Sequence, residues 1–370
     1  MLPRRVFLLL LLTSAPALAE EEIRIAVARV AGPAAVSGTD LRVEDIVTGE
    51  ILTTGKRVVI VGADERGLTV AGKPTKARRV VVMGRDGVAY QGRSFRGRME
   101  VLWERVKGRA QVLLVHPLPM ENYLVGILAG ELPSSWPPEA MKAQAVAART
   151  YAIYQKFHAP DRPYHLESTV LDQVYGGIQR ETQQARAAVA ATAGQVLTYR
   201  RRPIRAYFHS CCGDRTEGAR DGWGTSEPYL QSVTCGYCRD CGRYRWKLNV
   251  GAPALSRALD AARLPVGEVK TISVLKLTET GRVAQLEVEG TQKTRRMHPE
   301  DLRRILGYEQ LRSRLFTVRR DGAEFIFDGK GSGHAVGLCQ WGARGMAHQK
   351  KDYRAILNHY YPGARVQRMY

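Results

Sequence analysis

Residues 121–154 constrain the fold more than any other stretch of this 370-residue chain. An apolar segment, Tyr123 to Leu128, leads into Glu131-Leu132-Pro133. Because a proline disfavours helical geometry at the residue before it, this segment is predicted to end near Glu131. A carboxylate is therefore expected where the chain reverses direction.

A second helix is predicted after this reversal. Ser134-Ser135 offers N-cap oxygens, and Pro137-Pro138 suits a first helical turn. The helix is rich in alanine, the strongest helix former, whose small side chain lets other elements approach closely. Its alanines are Ala140, Ala143, Ala145, Ala147, Ala148 and Ala152. A rigid, closely packed helix suits a scaffold that holds a catalytic acid, Glu131, in place.

The N-terminus has the pattern of a signal peptide. Arg4-Arg5 precedes an apolar run, Val6 to Leu12, and Ala17-Leu18-Ala19 has the small residues of a cleavage site. The run is too short to span a membrane. Residues 1–19 are therefore predicted to direct export and to be removed. The mature protein is expected in the periplasm, cell wall or extracellular space, and at most peripheral to a membrane.

The chain is strongly basic, with 56 Lys and Arg against 36 Asp and Glu, a formal charge of +20. In the cytoplasm this charge would suggest a nucleic-acid partner, but the expected export argues against one. Outside the cytoplasm the polyanions are cell-wall glycans, teichoic acids and lipid head groups. The plainer alternative is a generally basic, solvated surface, because the charges are scattered.

The first hundred mature residues are predicted to be β-rich, because short apolar runs alternate with turn signals. The predicted strands are 23–29, 58–61, 68–70, 80–83, 88–90, 99–102 and 112–116. No flexible linker separates residues 20–117 from the segment 118–370, so both are assigned to one large domain of α+β class. Later in the chain, a helix over 182–193 ending at Gly194 and strands over 196–199 and 204–208 are predicted.

Several motifs resemble those of the SpoIID/LytB family of cell-wall proteins. They are Glu121-Asn122-Tyr123-Leu124, Glu131-Leu132-Pro133, residues 136–152, Gln173-Val174-Tyr175-Gly176-Gly177, residues 209–217 (HSCCGDRTE) and residues 331–343 (GSGHAVGLCQWGA). The resemblance implies a SpoIID-like domain whose alanine-rich helices surround a glycan-binding cleft within residues 118–370. Asp214 and Ala335 depart from the pattern, since relatives usually have glycine at both positions.

The resemblance implies lytic transglycosylation of peptidoglycan glycan strands, a reaction that needs one carboxylate and no cofactor. Glu131 matches the family's acid/base residue. Its pKa must be raised for it to be protonated at neutral pH, and Leu128, Leu132 and Trp136 are near enough in sequence to desolvate it. The alternative for Glu131 is a surface glutamate at a helix end, and Trp136 is expected in the core.

Other motif residues are expected to bind the sugar. His209 and His334, in glycine-flanked loops, and Ser210 are predicted to line the cleft, with Tyr175 stacking on a sugar and Gln340 donating a hydrogen bond. Arg149 is a candidate for binding lactyl carboxylates. The alternatives are structural histidines and an ion-paired arginine.

Two other functions remain open from the sequence. The LytB name implies a non-catalytic wall-binding protein that stimulates a cell-wall amidase, an N-acetylmuramoyl-L-alanine amidase. A metal-dependent hydrolase using the Cys/His cluster is a third interpretation.

Six cysteines, five of them within residues 211–241, require a separate assignment. Cys212, Cys235, Cys238 and Cys241 have spacing suited to a structural zinc ion. Disulfides are the alternative in an exported protein, with 15 possible pairings, one of which would tie Cys339 to this cluster. Some relatives bind zinc through a His and a Cys just before the glutamine of the Gln-Val-Tyr motif. Leu171 and Asp172 occupy those positions here, so that zinc is not expected.

Overall fold

The computed structural model describes residues 21–168, 173 and 175–370. The predicted signal peptide, 1–19, and Leu171 and Asp172 lie outside the described residues. The helices are α1 (Met120–Glu131), α2 (Pro138–His158), α3 (Gln183–Ala191), α4 (Ala219–Trp223), α5 (Ala252–Ala261), α6 (Pro299–Leu306), α7 (Gln340–His348) and α8 (Tyr353–Tyr360), with a 3₁₀ turn at Ile178–Arg180.

The strands are β1 (Glu22–Val30), β2 (Ala34–Asp45), β3 (Ile51–Ala63), β4 (Leu68–Val70), β5 (Lys73–Pro74), β6 (Arg79–Met83), β7 (Val88–Tyr90), β8 (Arg93–Phe95), β9 (Arg98–Val106), β10 (Arg109–Pro119), β11 (Leu166–Glu167), β12 (Gln195–Tyr199), β13 (Arg202–Pro203), β14 (Phe208–His209), β15 (Arg245–Gly251), β16 (Val269–Leu277), β17 (Val283–Gly290), β18 (Thr294–Met297), β19 (Phe316–Asp321), β20 (Glu324–Lys330), β21 (Leu338–Cys339) and β22 (Arg365–Arg368). The predicted α+β class is confirmed. No helix among the described residues combines the length and apolar character needed to cross a membrane.

The N-terminal region forms one large sheet with the strand order β11-β1-β10-β9-β6-β2-β3-β4-β5, to which β7 and β8 are added beside β2. Every strand predicted from an apolar run before residue 117 is present. The chain leaves β10 directly into α1, where Met120 N–H donates to the carbonyl oxygen of Glu21 at 2.7 Å. The first strand of the sheet therefore positions the start of the helix that ends at Glu131.

Helix α1 ends at Glu131 as predicted, because Leu132 before Pro133 is extended (φ −127°, ψ 138°). The predicted serine cap of α2 is wrong. Trp136 N–H donates to the carbonyl oxygen of Pro133, which makes a turn of the serine segment, and α2 begins after Pro137 without a side-chain cap. The alanine-rich α2 packs against α3, α7, α8 and β12.

Two later predictions need correction. Helix α3 ends at Ala191 with Thr192 as its cap, before Gly194. The strand expected over residues 204–208 exists only as Phe208–His209. Ala206 N–H donates to the carbonyl oxygen of Ile204, and Tyr207 N–H to that of Arg205. These tight turns prevent extended pairing along the segment.

The described residues form two main hydrophobic cores. The larger runs from Ile23 to Ala364 and joins the N-terminal sheet to the helices around α2. The smaller core lies within residues 246–327. Its side chains come from two three-stranded sheets, β15-β20-β19 and β16-β17-β18, and from α5 and α6. The segment 245–330, called here the inserted module, was not distinguished by the sequence.

Candidate functional site

Two short parallel strands bring the two histidine motifs together. In the β14–β21 pair, Phe208 lies opposite Leu338 and His209 opposite Cys339. Helix α7 begins at the next residue, Gln340, whose Nε2 donates to Glu131 Oε2 at 3.1 Å. The end of α1 therefore meets the second histidine motif, which the strand pair joins to the first, although Gln340 and Glu131 are 209 positions apart in the sequence.

The surroundings of Glu131 favour the protonated form of its carboxyl group. Burial raises its pKa, and the hydrogen bond from Gln340 opposes this shift only in part. In the described part of the chain no Lys, Arg or His lies within ion-pair distance of its carboxyl group. Its side chain is half-buried at a helix end, so it can meet a ligand while desolvated on its protein side.

His209 is buried in the strand pair that adjoins this site. Its Nδ1–H donates to the carbonyl oxygen of Val336 at 3.2 Å, and burial, with His334 nearby, lowers its pKa well below the ordinary value. The ring is therefore neutral at neutral pH. Its Nε2 has no hydrogen-bond partner among the described residues. Because His209 is buried, the predicted direct contact with a sugar would require movement of the residues that cover it.

His334, which is predicted to line the cleft, is held by hydrogen bonds within the protein. Its Nε2–H donates to the carbonyl oxygen of Phe208 at 2.8 Å, and its Nδ1 accepts from Val336 N–H at 3.1 Å. Both ring nitrogens are thus used internally. Burial lowers the pKa of His334 to about 4, so the ring is uncharged and contributes an aromatic surface.

Sequence reasoning missed an aromatic platform beside His334. The Trp223 ring lies 4.9 Å from the His334 ring and 4.2 Å from the Tyr207 ring, centroid to centroid. Trp223 is 42% exposed, unusual for so large an apolar side chain. Arg205 stacks on Tyr207 with its guanidinium carbon 5.0 Å from the ring centroid. The available signal was a tryptophan between Gly222 and Gly224, shortly after the first histidine motif.

The two departures from the glycine pattern occupy strained positions. Asp214 has φ 96° and Ala335 has φ 69°, both in the left-handed region. Residues other than glycine rarely adopt this conformation, which explains why relatives have glycine there. The Asp214 side chain accepts a hydrogen bond from the Tyr244 hydroxyl and forms an ion pair with Arg239.

The structure places two predicted sugar ligands, Tyr175 and Arg149, in the core. Tyr175 is 1% exposed, and its ring packs against Phe95, His116 and Tyr123. Arg149 is 0% exposed and forms a bidentate pair with Glu121, at 2.9 and 2.6 Å. Neither can reach a glycan without unfolding of its surroundings.

The other predicted residues are buried or half-buried. Trp136 is buried as expected, edge-on to Trp341 with 5.2 Å between ring centroids. Ser210 is half-buried, and its carbonyl oxygen accepts from Trp341 N–H at 3.1 Å. A sugar contact by its hydroxyl stays a prediction. Gln340 is buried and positions Glu131.

All six cysteines are buried free thiols. The sulfur atoms of Cys212, Cys235, Cys238 and Cys339 all lie within 4.8 Å of one another. The predicted set is corrected at one position, because Cys339 takes the place of Cys241. The β14–β21 pairing explains this difference, since it places Cys339 beside the loop that contains Cys212.

The family model described as "Stage II sporulation protein" matches residues 108–199, and one described as a domain of unknown function matches residues 230–337. An uncharacterized protein of Brachyspira hyodysenteriae is 32% identical over 309 residues, which cover 83% of this chain and 82% of that protein. The amidase enhancer of Bacillus subtilis is 30% identical over 286 residues, covering 65% of this chain but only 39% of the enhancer.

Stage II sporulation protein D of Bacillus subtilis is 32% identical over 268 residues, which cover 68% of this chain and 75% of that protein. The same-named protein of Bacillus amyloliquefaciens is 31% identical over 267 residues, with the same coverage of both chains. Together with the family match around Glu131, this similarity shows that the chain belongs to the SpoIID family.

Proposed function

We propose that this protein is an exported lytic transglycosylase that cleaves the glycan strands of peptidoglycan, with Glu131 as its single acid/base. Membership of the SpoIID family supports a peptidoglycan-related role. The observation that carries the specific reaction is the state of Glu131, whose pKa is raised by burial and whose bonded neighbour is the neutral amide of Gln340. A carboxyl group in this setting can hold a proton near neutral pH.

In the proposed reaction, Glu131 donates its proton to the glycosidic oxygen between N-acetylmuramic acid and N-acetylglucosamine. The bond from this oxygen to the anomeric carbon breaks, and the C6 hydroxyl of the muramic acid attacks that carbon. The carboxylate of Glu131 then accepts the hydroxyl proton, which regenerates the acid. The product carries a 1,6-anhydro ring. No water is consumed, so a second carboxylate to activate water is not needed.

The platform of Trp223, Tyr207 and His334 is the proposed surface for a sugar ring. An exposed tryptophan offers an apolar face to the C–H groups of a pyranose, and Tyr207 and His334 hold the Trp223 ring from behind. Arg205 lies at this platform, and no carboxylate among the described residues is ion-paired with it. It is the proposed partner for a lactyl carboxylate, in the role first predicted for Arg149.

The test incubates the purified mature chain with glycan strands stripped of stem peptides and analyses the products by mass spectrometry. Wild type is expected to release products with 1,6-anhydro ends. Glu131→Gln should lower the rate by roughly 10²–10⁴-fold. Glu139→Gln is the matched control, because Glu139 pairs with Lys142 and caps Tyr353 N–H and should leave the rate near that of wild type. Reducing-end products without anhydro rings, or full activity of Glu131→Gln, would contradict the proposal.

A second candidate function is stimulation of a cell-wall amidase, favoured by the similarity to the amidase enhancer. The same preparation is then mixed with an amidase and intact peptidoglycan. The non-catalytic role would be favoured if wild type and Glu131→Gln increased the release of stem peptides equally. Neither protein should then form anhydro products.

A further inference from the structure

We infer that Cys212, Cys235, Cys238 and Cys339 bind one zinc ion through four thiolates, and that this ion holds Gln340 against Glu131. The four residues come from three separate segments: the loop after β14, the loop over residues 235–241, and β21 at the start of α7. The third segment continues directly into Gln340, the hydrogen-bond partner of Glu131. The proposed ion is distinct from the acid/base chemistry.

The spacing of the sulfur atoms suits a single tetrahedral ion. With zinc–sulfur bonds of about 2.3 Å, the sulfur atoms of a tetrahedral site lie roughly 3.8 Å apart. Here all four lie within 4.8 Å of one another, and the Cys212–Cys238 sulfur distance is 3.6 Å. The distances within these four sulfur atoms, called here the sulfur quartet, are therefore close to those of a tetrahedral zinc site. An iron–sulfur cluster would need its cysteines around several metal atoms and thus farther apart.

Hydrogen bonds around the quartet favour thiolates. Cys339 caps α7, and its sulfur accepts from Gly342 N–H and from Cys212 N–H, both at 3.3 Å. The positive end of a helix stabilises a thiolate at this position. The Tyr360 hydroxyl lies 3.1 Å from the Cys235 sulfur and can donate to it. Donors of this kind orient metal ligands and offset their charge.

A buried arginine adjoins the quartet. Arg282 is 2% exposed, and its Nη2 donates at 2.6 Å to the carbonyl oxygens of Cys212 and Arg215. In the described residues no carboxylate lies within 4 Å of its guanidinium group. A buried cation needs compensation. A divalent ion with four thiolates carries a net charge of about −2 and would add to the attraction from the more distant carboxylate of Glu217.

Pairwise disulfides fit this arrangement less well. Disulfides join sulfurs two by two, whereas here each sulfur of the quartet is close to the three others. The Cys235 sulfur is also closely packed against α7, because a Cβ at Gly342 would lie 2.6 Å from it. Cys211 and Cys241 remain outside the quartet, which makes them suitable controls.

The ion would act as a positioning element. Four protein ligands leave no open coordination site, so it would not activate water, which argues against a metal-dependent hydrolase. Cys339 directly precedes Gln340, and its partner Cys212 lies in the loop that follows His209. Loss of the ion would release β21 from that loop and weaken the hydrogen bond between Gln340 and Glu131.

The experiment measures metal in the full mature chain by elemental analysis, together with free and oxidised cysteines by alkylation and mass spectrometry. About one zinc per chain is expected in wild type and in the control Cys241→Ser, and loss of most of the zinc in Cys339→Ser. Metal-free wild type with its quartet in disulfides would overturn the inference. So would equal loss of zinc in both variants, or one equivalent of iron in place of zinc.

A second measurement does not depend on folding of a variant. The wild-type protein is exchanged into Co²⁺, which occupies zinc sites and reports its ligands by absorption. Strong thiolate-to-cobalt charge transfer and intense visible bands of a tetrahedral ion are expected, in an amount of one ion per chain. The weak bands of octahedral cobalt without sulfur ligands would contradict the assignment.

Discussion

At the scale of single residues, Glu131 combines a predictable position with an unpredictable environment. Its place at the end of α1 follows from Pro133, which the sequence contains. Its partner Gln340 could be suggested only as a sugar ligand, because no local pattern pairs residues so far apart. The burial of Tyr175 and Arg149 was also not predictable, because an aromatic ring or a cation in a motif does not reveal whether the fold buries it.

Glu131→Gln is expected to change the pH dependence of stability. Because the folded pKa of Glu131 is raised above its ordinary value of 4.5, the folded protein binds this proton more tightly than the unfolded chain. The wild-type free energy of unfolding should therefore fall as pH rises from 4.5 through the folded pKa. Glutamine lacks this titration, so the variant gains stability relative to wild type over that window, as measured by urea unfolding between pH 4 and 8.

Glu100→Gln is the control, because its effect on stability is expected to depend on pH in the opposite direction. Burial alone would raise the pKa of Glu100, but hydrogen bonds and charge from Arg24 and Arg79 outweigh it and lower the pKa. Its stabilising contribution is present above the ordinary pKa and is lost as pH falls. The variant should thus lose stability at neutral pH and approach wild type in acid. A Glu131→Gln difference that does not vary with pH would contradict the raised pKa.

At the scale of elements, regular strands were predictable and irregular loops were not. Short apolar runs between turn signals located the strands of the N-terminal sheet, because strands such as β1 and β6 bury these residues. The segment 204–208 has the same apolar character, yet its backbone bonds turn it away from a strand. The sequence predicted three of the four residues of the sulfur quartet. Sequence spacing favours Cys241 as the fourth, whereas the β14–β21 register places Cys339 beside the other three.

The loop before β21 should tolerate glycine at Ala335 unusually well. Ala335 is buried but left-handed, at φ 69°, a conformation that costs alanine about 1–2 kcal/mol. Ala188→Gly in α3 is matched, since it also removes a buried methyl group, but from helical backbone where glycine costs about 1 kcal/mol. Ala335→Gly is expected to be at least about 1 kcal/mol less destabilising than Ala188→Gly in denaturant unfolding. Equal losses would show that Ala335 is unstrained.

At the scale of the whole molecule, the inserted module is fastened to the histidine loops by polar contacts. Glu217 is buried, and its Oε2 accepts from Thr278 and Thr280 hydroxyls, each at 2.8 Å. Arg282, from the same hairpin, reaches the carbonyl oxygens of Cys212 and Arg215. The module thus contacts the cysteine loop directly. Its own core is separate, so its packing does not depend on these contacts.

Glu217→Ala should therefore loosen the junction without unfolding the module. Two half-buried hydroxyls and the Gly218 N–H lose their carboxylate acceptor, a loss of about 2–3 kcal/mol. Hydrogen exchange should accelerate in residues 209–217 and 278–282 and stay slow in β19 and β20. Glu289→Ala removes a similar bond to the Thr271 hydroxyl, at 2.9 Å on an exposed face, and should cost under about 0.5 kcal/mol. If Glu217→Ala instead accelerated exchange throughout the module, the junction and the second core would form one cooperative unit, and the inserted module could not fold independently of the histidine loops.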